Sequence, residues 1–560
     1  MAFAILAFFG LFLAYPVSHL LRRAFFDDQG LTLTHFRVLL ESPLLQASLW
    51  QSLLLATLTT ATVSVLAFAM AHLMVRCEFP AKTWFAGLLL LPMVLPPFVG
   101  AIGLRQLFAK YGTVNLILIQ AGWASPEDPP DWLGSNALAG MVLLQSLNLH
   151  PILYLNLAAA MANVDPSLLE AARNMGASGW RVFRTITLPL VMPGYFAGAA
   201  LVFIWSFTDL GTPLIFGVSR VVPVQLFDAL TELQGNPQGY ALVTLVLVLS
   251  LGLFLFGRAC LAGQRHEMFA RAQSHGSGKP LRGTQAFLAG TGLAVFMLIS
   301  LLPHLAVVLQ SFAGQWILSA WPTDWTLAHY QEVWNHPLTA SSIRNSLVFS
   351  SLSAGLDLFL GIGIAWILTR TRLPGAWMLD ALAMVPLALP GIVLAFGYVA
   401  AFDIPDSSFP TLNRWIDPRE NPTLLLIIGY AVRRLPYIVR TAVAGFQQSS
   451  VTLEEASSNL GATPWTTLRR ITLPLVAANL IAGTILTFAF AMLEVSDSIV
   501  LAMKENYFPI TKMIWILMGR IEPSSAAVAC ALGVLGMLIL GGALLAAALV
   551  LGKRFGQLFR

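Results

Sequence analysis

Charge is what this chain has least of. Lysine, arginine, aspartate and glutamate make up 11% of its 560 residues, where a soluble domain carries roughly 25%. That shortage argues against a water-soluble enzyme, a nucleic-acid binder and a disordered scaffold. The basic excess, 32 against 27 acidic residues, is too small to signal nucleic acid. Cysteine is scarce too: Cys77, Cys260 and Cys530 lie far apart and offer neither a disulfide framework nor metal-ligand spacing. A phosphate-cradling Gly-x-x-x-x-Gly-Lys-Ser/Thr loop is missing. The nearest approach, Gly276-Ser277-Gly278-Lys279, runs into Pro280. No His-Glu-x-x-His and no nucleophile elbow occur, so nothing catalytic is expected here. What the chain has is apolar surface: 57% hydrophobic residues and a mean hydropathy of +0.75.

About 20 apolar residues cross a bilayer as a helix. Runs of that kind occur near 2–21, 50–75, 84–104, 137–160, 191–208, 240–257, 286–310, 345–368, 377–402, 422–443, 476–493 and 525–551. The expectation is an all-α polytopic membrane protein of about twelve spans. Met1 is followed at once by apolar residues with no basic n-region, so the first run reads as a retained helix. With the N-terminus cytoplasmic, about 18 of the 32 basic residues fall inside and about 12 outside, in the sense of the positive-inside rule.

The sequence repeats. Gln51-Ser52-Leu53 aligns with Asn345-Ser346-Leu347 at an offset of 294, which also superposes Arg76 on Arg370, Pro92 on Pro386 and Pro96 on Pro390. Further on the offset is 285, and 16 of the 34 positions from 165 to 198 are identical to their counterparts. Ile186-Thr187-Leu188-Pro189-Leu190-Val191 recurs as Ile471-Thr472-Leu473-Pro474-Leu475-Val476. Halves at 1–270 and 286–560, joined by a polar, basic cytoplasmic linker at 271–285, follow. Each holds about six spans, an even number, so the two run parallel about a pseudo-twofold axis along the membrane normal.

The strongest match covers two loops, 161–190 and 446–475, expected on the same cytoplasmic side. Each reads Glu-Ala-x-x-x-x-Gly, then thirteen residues to a proline. Ser167 and Thr452 stand three residues before Glu170 and Glu455, a capping-box spacing. Gly176 and Gly461 suit a left-handed helix stop. Ser178 and Thr463 can cap a second short helix, closed by Pro189 and Pro474 before the next span. A helix–turn–helix knob is expected twice.

This pattern resembles the "EAA" loop of binding-protein-dependent ABC importer permeases. Glu170, Ala171, Ala172, Gly176 and Pro189 match it in the first half, and Glu455, Ala456, Ser457, Gly461 and Pro474 in the second, with Ser457 in place of an alanine. Two fused permease halves are most similar to the ferric-iron permease family, and next to the thiamine permeases, with phosphonate and polyamine permeases more distant. The segment Asp209-Leu210-Gly211-Thr212-Pro213 resembles the acidic-Gly-x-Pro element of the ferric group, whereas Glu494-Val495-Ser496-Asp497 departs from its second-half form. The resemblance implies a type I ABC importer permease fold in a bacterial plasma (inner) membrane. It implies a homodimeric ABC ATPase docked on the cytoplasmic loops and a solute-binding protein outside. ATP and Mg would belong to the ATPase, with no cofactor, metal site or nucleic acid on this chain. The rival readings are an ion-coupled secondary transporter and a membrane-embedded enzyme.

A charge at the centre of a membrane helix costs roughly 2.5–3.5 kcal/mol on insertion scales. Asp209 and Glu494 align at the outer ends of the fifth and eleventh spans, with Asp497 close by. Carboxylates suit hard cationic cargo, so these three are candidate pathway residues. The plainer alternative is a cap, or a salt bridge to Arg220 or Lys504. Asp357 and Arg434 are expected to pair as a structural ion pair, and Pro151 and Pro436 to kink their helices.

Overall fold

The computed structural model describes residues 1–27, 30–94, 97–134, 137–230, 237–262, 279–402, 415–522 and 524–551. Most of the expected linker, and the basic tail Lys553, Arg554 and Arg560, lie outside them. Ten long helices organise the chain: α1 (Ala2–Phe25), α2 (Pro43–Arg76), α3 (Leu138–Ala162), α4 (Gly179–Phe216), α5 (Gln238–Gly257), α6 (Thr284–Phe312), α7 (Pro337–Arg370), α8 (Thr423–Gln448), α9 (Pro464–Met492) and α10 (Ser525–Ala546). All but α8 are long and apolar enough to cross a membrane. The pairs Lys82–Met93 with Phe98–Gln120, and Ala376–Leu387 with Gly391–Phe402, qualify as spans only when joined across bends of 95° and 103°.

By length and composition the described residues give nine candidate spans, or eleven counting each bent pair as one, one short of the expected runs. The difference is the tenth expected run. It is a helix, α8, but every 18-residue stretch of it contains Arg433, Arg434 and Arg440. It packs along α7 and α9 as its repeat counterpart α3 packs along α2 and α4. The bends have a local cause. Pro386 lies in a tight turn and Pro390 precedes the next helix, and a proline removes a helix hydrogen bond while pushing its predecessor out of helical geometry. Helices α3 and α8 continue through Pro151 and Pro436.

Two compact units form. One comprises Met1–Glu41, Leu226–Leu247 and Tyr330–Phe559; the other comprises Ser42–Gln225 and Val248–His329. Sequence halves follow the repeat and units follow packing, so each unit contains the leading helix of the opposite half. Inside the first unit Tyr398 Oη donates to the Phe12 carbonyl of α1 at 2.9 Å. Inside the second, Ser300 Oγ of α6 donates to the Leu147 carbonyl at 3.2 Å. Glycines at aligned positions make room for these visiting helices. A Cβ on Gly397 would meet Leu20 at 3.2 Å and Pro16 at 3.3 Å, and one on Gly103 would collide with the Pro303 carbonyl oxygen. Gly198 and Gly483, also aligned, bring α4 against Leu153 and α9 against Thr441. Small residues that let backbones approach are the common device of helix association in membranes.

The segments that follow Leu188–Thr208 and Leu473–Met492 are tied down alike. Ser52 Oγ accepts from the Val222 N–H, and Ser346 Oγ from the Ile510 N–H, both at 2.8 Å. These are the serines of the aligned triplets.

Overpacking costs about 1–3 kcal/mol. Gly103→Val should lower the thermal unfolding midpoint in detergent more than Gly397→Val, because its obstacle is backbone. Gly252→Val, with open space around it, should leave the midpoint unchanged.

Candidate functional site: two repeated knobs and a buried charge cluster

Each expected knob exists. The first is Pro166–Asn174 followed by Gly179–Val182; the second is Val451–Asn459 followed by Pro464–Thr467. Their N-caps are not the expected Ser167 and Thr452. Asp165 Oδ1 accepts from the Ser167 N–H at 2.9 Å, and Ser450 Oγ from the Thr452 N–H at 3.3 Å. The helices start two residues early because Asp165 and Ser450 are capping residues in their own right. The stops are as expected. Gly176 and Gly461 sit at φ +81° and +83°. Gly176 N–H donates to the Arg173 carbonyl and Ala177 N–H to Ala172, repeated by Gly461 to Ser458 and Ala462 to Ser457. That pair of bonds is the Schellman arrangement. Ser178 and Thr463 cap the second short helices, as expected.

Pro189 and Pro474 do not end those helices. The chain passes through wider π-helical turns, Phe183–Thr187 and Leu468–Thr472, directly into Leu188–Thr208 and Leu473–Met492. The prolines sit in the first turn of the continuing helix, where a missing N–H costs little.

Glu170, Ala171, Glu455 and Ala456 are exposed, whereas Ala172 and Ser457 are buried. Ser457 Oγ hydrogen-bonds to Thr467 Oγ1 at 2.9 Å. The aligned pair in the first half is Ala172 and Val182, both in the apolar core. Serine thus stands at the alanine position because its neighbour changed with it. Around the glycine stops the knobs expose matching apolar side chains: Leu168, Met175 and Trp180 on one, Leu453, Leu460 and Trp465 on the other.

The three carboxylates lie in different settings. Asp209, in the second unit, belongs to a neutral network. Gln145 Nε2 donates to its Oδ2 at 3.1 Å while the Gly211 N–H donates to Oδ1 at 3.1 Å. Gln145 Oε1 in turn accepts from Ser206 and Thr59. Asp209 therefore caps the helix Gly211–Phe216. Glu494 and Asp497 lie together in the first unit. Glu494 is ion-paired to both Arg433 and Arg434, and Arg433 Nη1 is 3.6 Å from Asp497 Oδ2. Two arginines and two acids make a cluster of zero formal charge. Gly391 keeps space for it, since a Cβ there would collide with the Arg433 guanidinium.

The expected Asp357–Arg434 pair is not formed. Arg434 turns to Glu494, and both Asp357 oxygens lack a hydrogen-bond partner among the described residues. Neither Arg220 nor Lys504 pairs with Asp209 or Glu494 among those residues. One buried cation escaped the sequence reading. Lys512, in Ile510–Met518 outside the spans, donates to the Ile499 carbonyl at 2.6 Å and lies 4.7 Å from the Trp515 ring. Burial pushes its ammonium down to about 8. Its signal was a lone lysine within an apolar run.

The repeated knobs and repeated bent spans coincide with a recognised family. A sequence profile described as the binding-protein-dependent transport system inner membrane component matches residues 63–259 and 358–556, once in each half. The chain belongs to this family. It is an ABC importer permease, multi-pass, with two permease cores in one polypeptide. The putative ferric transport system permease protein FbpB 1 of Haemophilus influenzae is 28% identical over 509 residues, spanning 88% of this chain and 76% of its own. The ferric transport system permease protein FbpB of Actinobacillus pleuropneumoniae is 26% identical, spanning 83% and 66%. The molybdenum transport system permease protein ModB of Escherichia coli K12 is 32% identical over 212 residues, 36% of this chain but 87% of its own. The family resemblance expected from the knobs thus holds.

Removing one partner of a buried ion pair costs about 3–5 kcal/mol, because it strands the other charge. Glu494→Gln should therefore destabilise the permease by that order in detergent unfolding. Asp209→Asn should cost less, about 1–3 kcal/mol, since asparagine keeps the bond from Gly211 with its oxygen but turns its amide toward Gln145 Nε2. Equal losses would refute the contrast between the two settings.

Proposed function

We propose that this permease imports ferric iron, received from an extracytoplasmic binding protein, by alternating access driven by a homodimeric ABC ATPase seated on the two knobs. The observation that carries the reading is the matched exposed surface of the knobs. Glu170-Ala171 repeats as Glu455-Ala456, and Leu168, Met175 and Trp180 repeat as Leu453, Leu460 and Trp465. Exposed apolar groups beside a rigid glycine stop are suited to a protein partner. Two equal patches suit two equal partners. ATP and Mg would be held by the ATPase, and the N-terminus and both knobs would face the cytoplasm.

Iron is supported by the ferric relatives and by the chemistry of the acids. Hard carboxylate oxygens suit a hard cation. Of the three acids, Asp209 is used as a cap and Glu494 is held by two arginines. Asp497 accepts no hydrogen bond among the described residues and meets Arg433 only at 3.6 Å, so it is the least tightly held of the three and the acid best fitted to meet cargo in an open state.

Purification in mild detergent should recover an ATPase subunit in two copies. Gly461→Leu, at a φ that only glycine adopts without strain, and Glu455→Trp should cut uptake at least tenfold while leaving the helical content unchanged. Uptake and ATPase association equal to wild type would sink the coupling role. In proteoliposomes, binding protein loaded with Fe3+ should stimulate ATP hydrolysis, and Asp497→Asn should lower iron uptake more than hydrolysis. Stimulation by a thiamine-loaded protein alone would replace iron with thiamine.

A further inference from the structure

We propose that Glu454 and Arg370 form a positioning lock that makes the second knob the stiffer lever, and that the first knob works without one. The inference rests on the coupling reading above. Glu454 lies outside the Glu-Ala-x-x-x-x-Gly motif, one residue before its glutamate.

Arg370 is the last residue of α7. Its Nε donates to Glu454 Oε1 and Oε2 at 3.0 and 2.9 Å. Its Nη2 donates to the Phe446 carbonyl at 2.9 Å and to Ser449 Oγ at 2.7 Å, near the end of α8. The guanidinium lies 5.7 Å from the centre of the Phe446 ring. Thr472 Oγ1, at the root of α9, donates to Glu454 Oε1 at 3.1 Å. One carboxylate of the knob helix is thus tied to the ends of two long helices and the start of a third. The two side chains are only 7% and 12% exposed, so water competes little for these charge-assisted bonds.

The first half has the frame of this lock without its key. Arg76, aligned with Arg370, donates from Nη2 to the Met161 carbonyl at 3.0 Å, and Met161 aligns with Phe446. Thr187 aligns with Thr472. At the position of Glu454, however, stands Leu169. No carboxylate lies within ion-pair distance of Arg76 among the described residues. The first knob is seated instead by apolar packing of Leu169, Ala172 and Val182. Apolar contact is non-directional and lets a short helix tilt or slide. Bonds from one carboxylate to a planar guanidinium fix the angle as well as the distance. A push on the second knob therefore reaches α7 directly, whereas a push on the first is partly absorbed.

Two readouts test this in the full chain in nanodiscs. On the permease alone, amide hydrogen exchange in Val451–Asn459 should be at least tenfold slower than in Pro166–Asn174. Glu454→Gln should erase that difference, and Leu169→Glu should slow exchange in the first knob by supplying Arg76 with a partner. With the ATPase bound, Glu454→Gln should lower cargo moved per ATP at least fivefold with co-purification retained, and Arg76→Gln less than twofold. Should Glu454→Gln fail to fold, Glu454→Leu copies the residue the first half already tolerates. Equal exchange in the two wild-type knobs, or equal losses of coupling in the two variants, would overturn the lock. If no ATPase binds the wild type, the coupling reading falls, while the exchange measurement still decides the lock.

Discussion

Hydrocarbon offers no partner to a backbone N–H, and each one left bare there costs several kcal/mol. The fold depends on how this chain meets that constraint where its helices break. Both halves bend at aligned proline-rich turns and break again at Asp209 within α4 and after α9, and the groups so freed find side chains. Ser52 and Ser346 each accept an N–H from the segment that follows that later break in its own half, Val222 and Ile510 respectively. Asp209 accepts from Gly211 at the first break, while at the second, Ser498 and Thr511 donate to the Glu494 carbonyl. The π turns at the roots of α4 and α9 belong to the same solution, carrying Pro189 and Pro474 into a continuing helix instead of ending one. Irregular backbone is tolerated because it is repaired locally, and the repairs recur because the sequence does.

Beneath that shared plan the halves diverge in small groups of residues that change together. Ala172 with Val182 becomes Ser457 with Thr467, exchanging apolar contact for a hydrogen bond. Gln145, Ser206 and Asn148 become Tyr430, Ala491 and Arg433, exchanging a neutral network for a charged one. Leu169 becomes Glu454 opposite an arginine present in both halves. A buried polar group is costly unless satisfied, so each polar member of these sets stands where a partner is in place. Each works as part of a set.

That dependence explains what could be read in advance. Apolar run length gave the helices and glycine spacing gave the knob stops, because these are local properties of the chain. Proline spacing did not, since Pro189 and Pro474 sit inside continuing helices and the bends fall within runs expected to be single spans. The caps were misplaced by two residues because three cap-competent side chains crowd each start, Asn163, Asp165 and Ser167 at one and Ser449, Ser450 and Thr452 at the other, and short-range spacing alone does not choose among them. The Asp357–Arg434 pair was misjudged for a related reason. Arg434 had three acids to choose from, and only the folded chain shows Glu494 taking it. The packing of α1 and α6 into the opposite units left only faint marks, Gly103 and Gly397 at an aligned position. A glycine inside an apolar run does not say which helix it is making room for.

Fusing two permease cores in one chain removes a requirement that a symmetric pair of identical subunits must obey. Any side chain in one identical subunit would appear in the other, so an ion cluster or a lock would come in twos. Here one half is free to use charge where the other uses amide and methyl groups. What the two knobs show outward has nevertheless stayed matched: leucine with leucine, methionine with leucine, tryptophan with tryptophan. Under the proposed coupling, the surface that meets a repeated partner would be constrained by that partner, whereas the support beneath it answers only to its own half. Matched faces on unmatched supports are what the proposed symmetric motor would leave on an asymmetric permease. The direction of the difference, with charge concentrated around Arg370, Arg433 and Arg434, marks the second half as the more rigidly connected of the two.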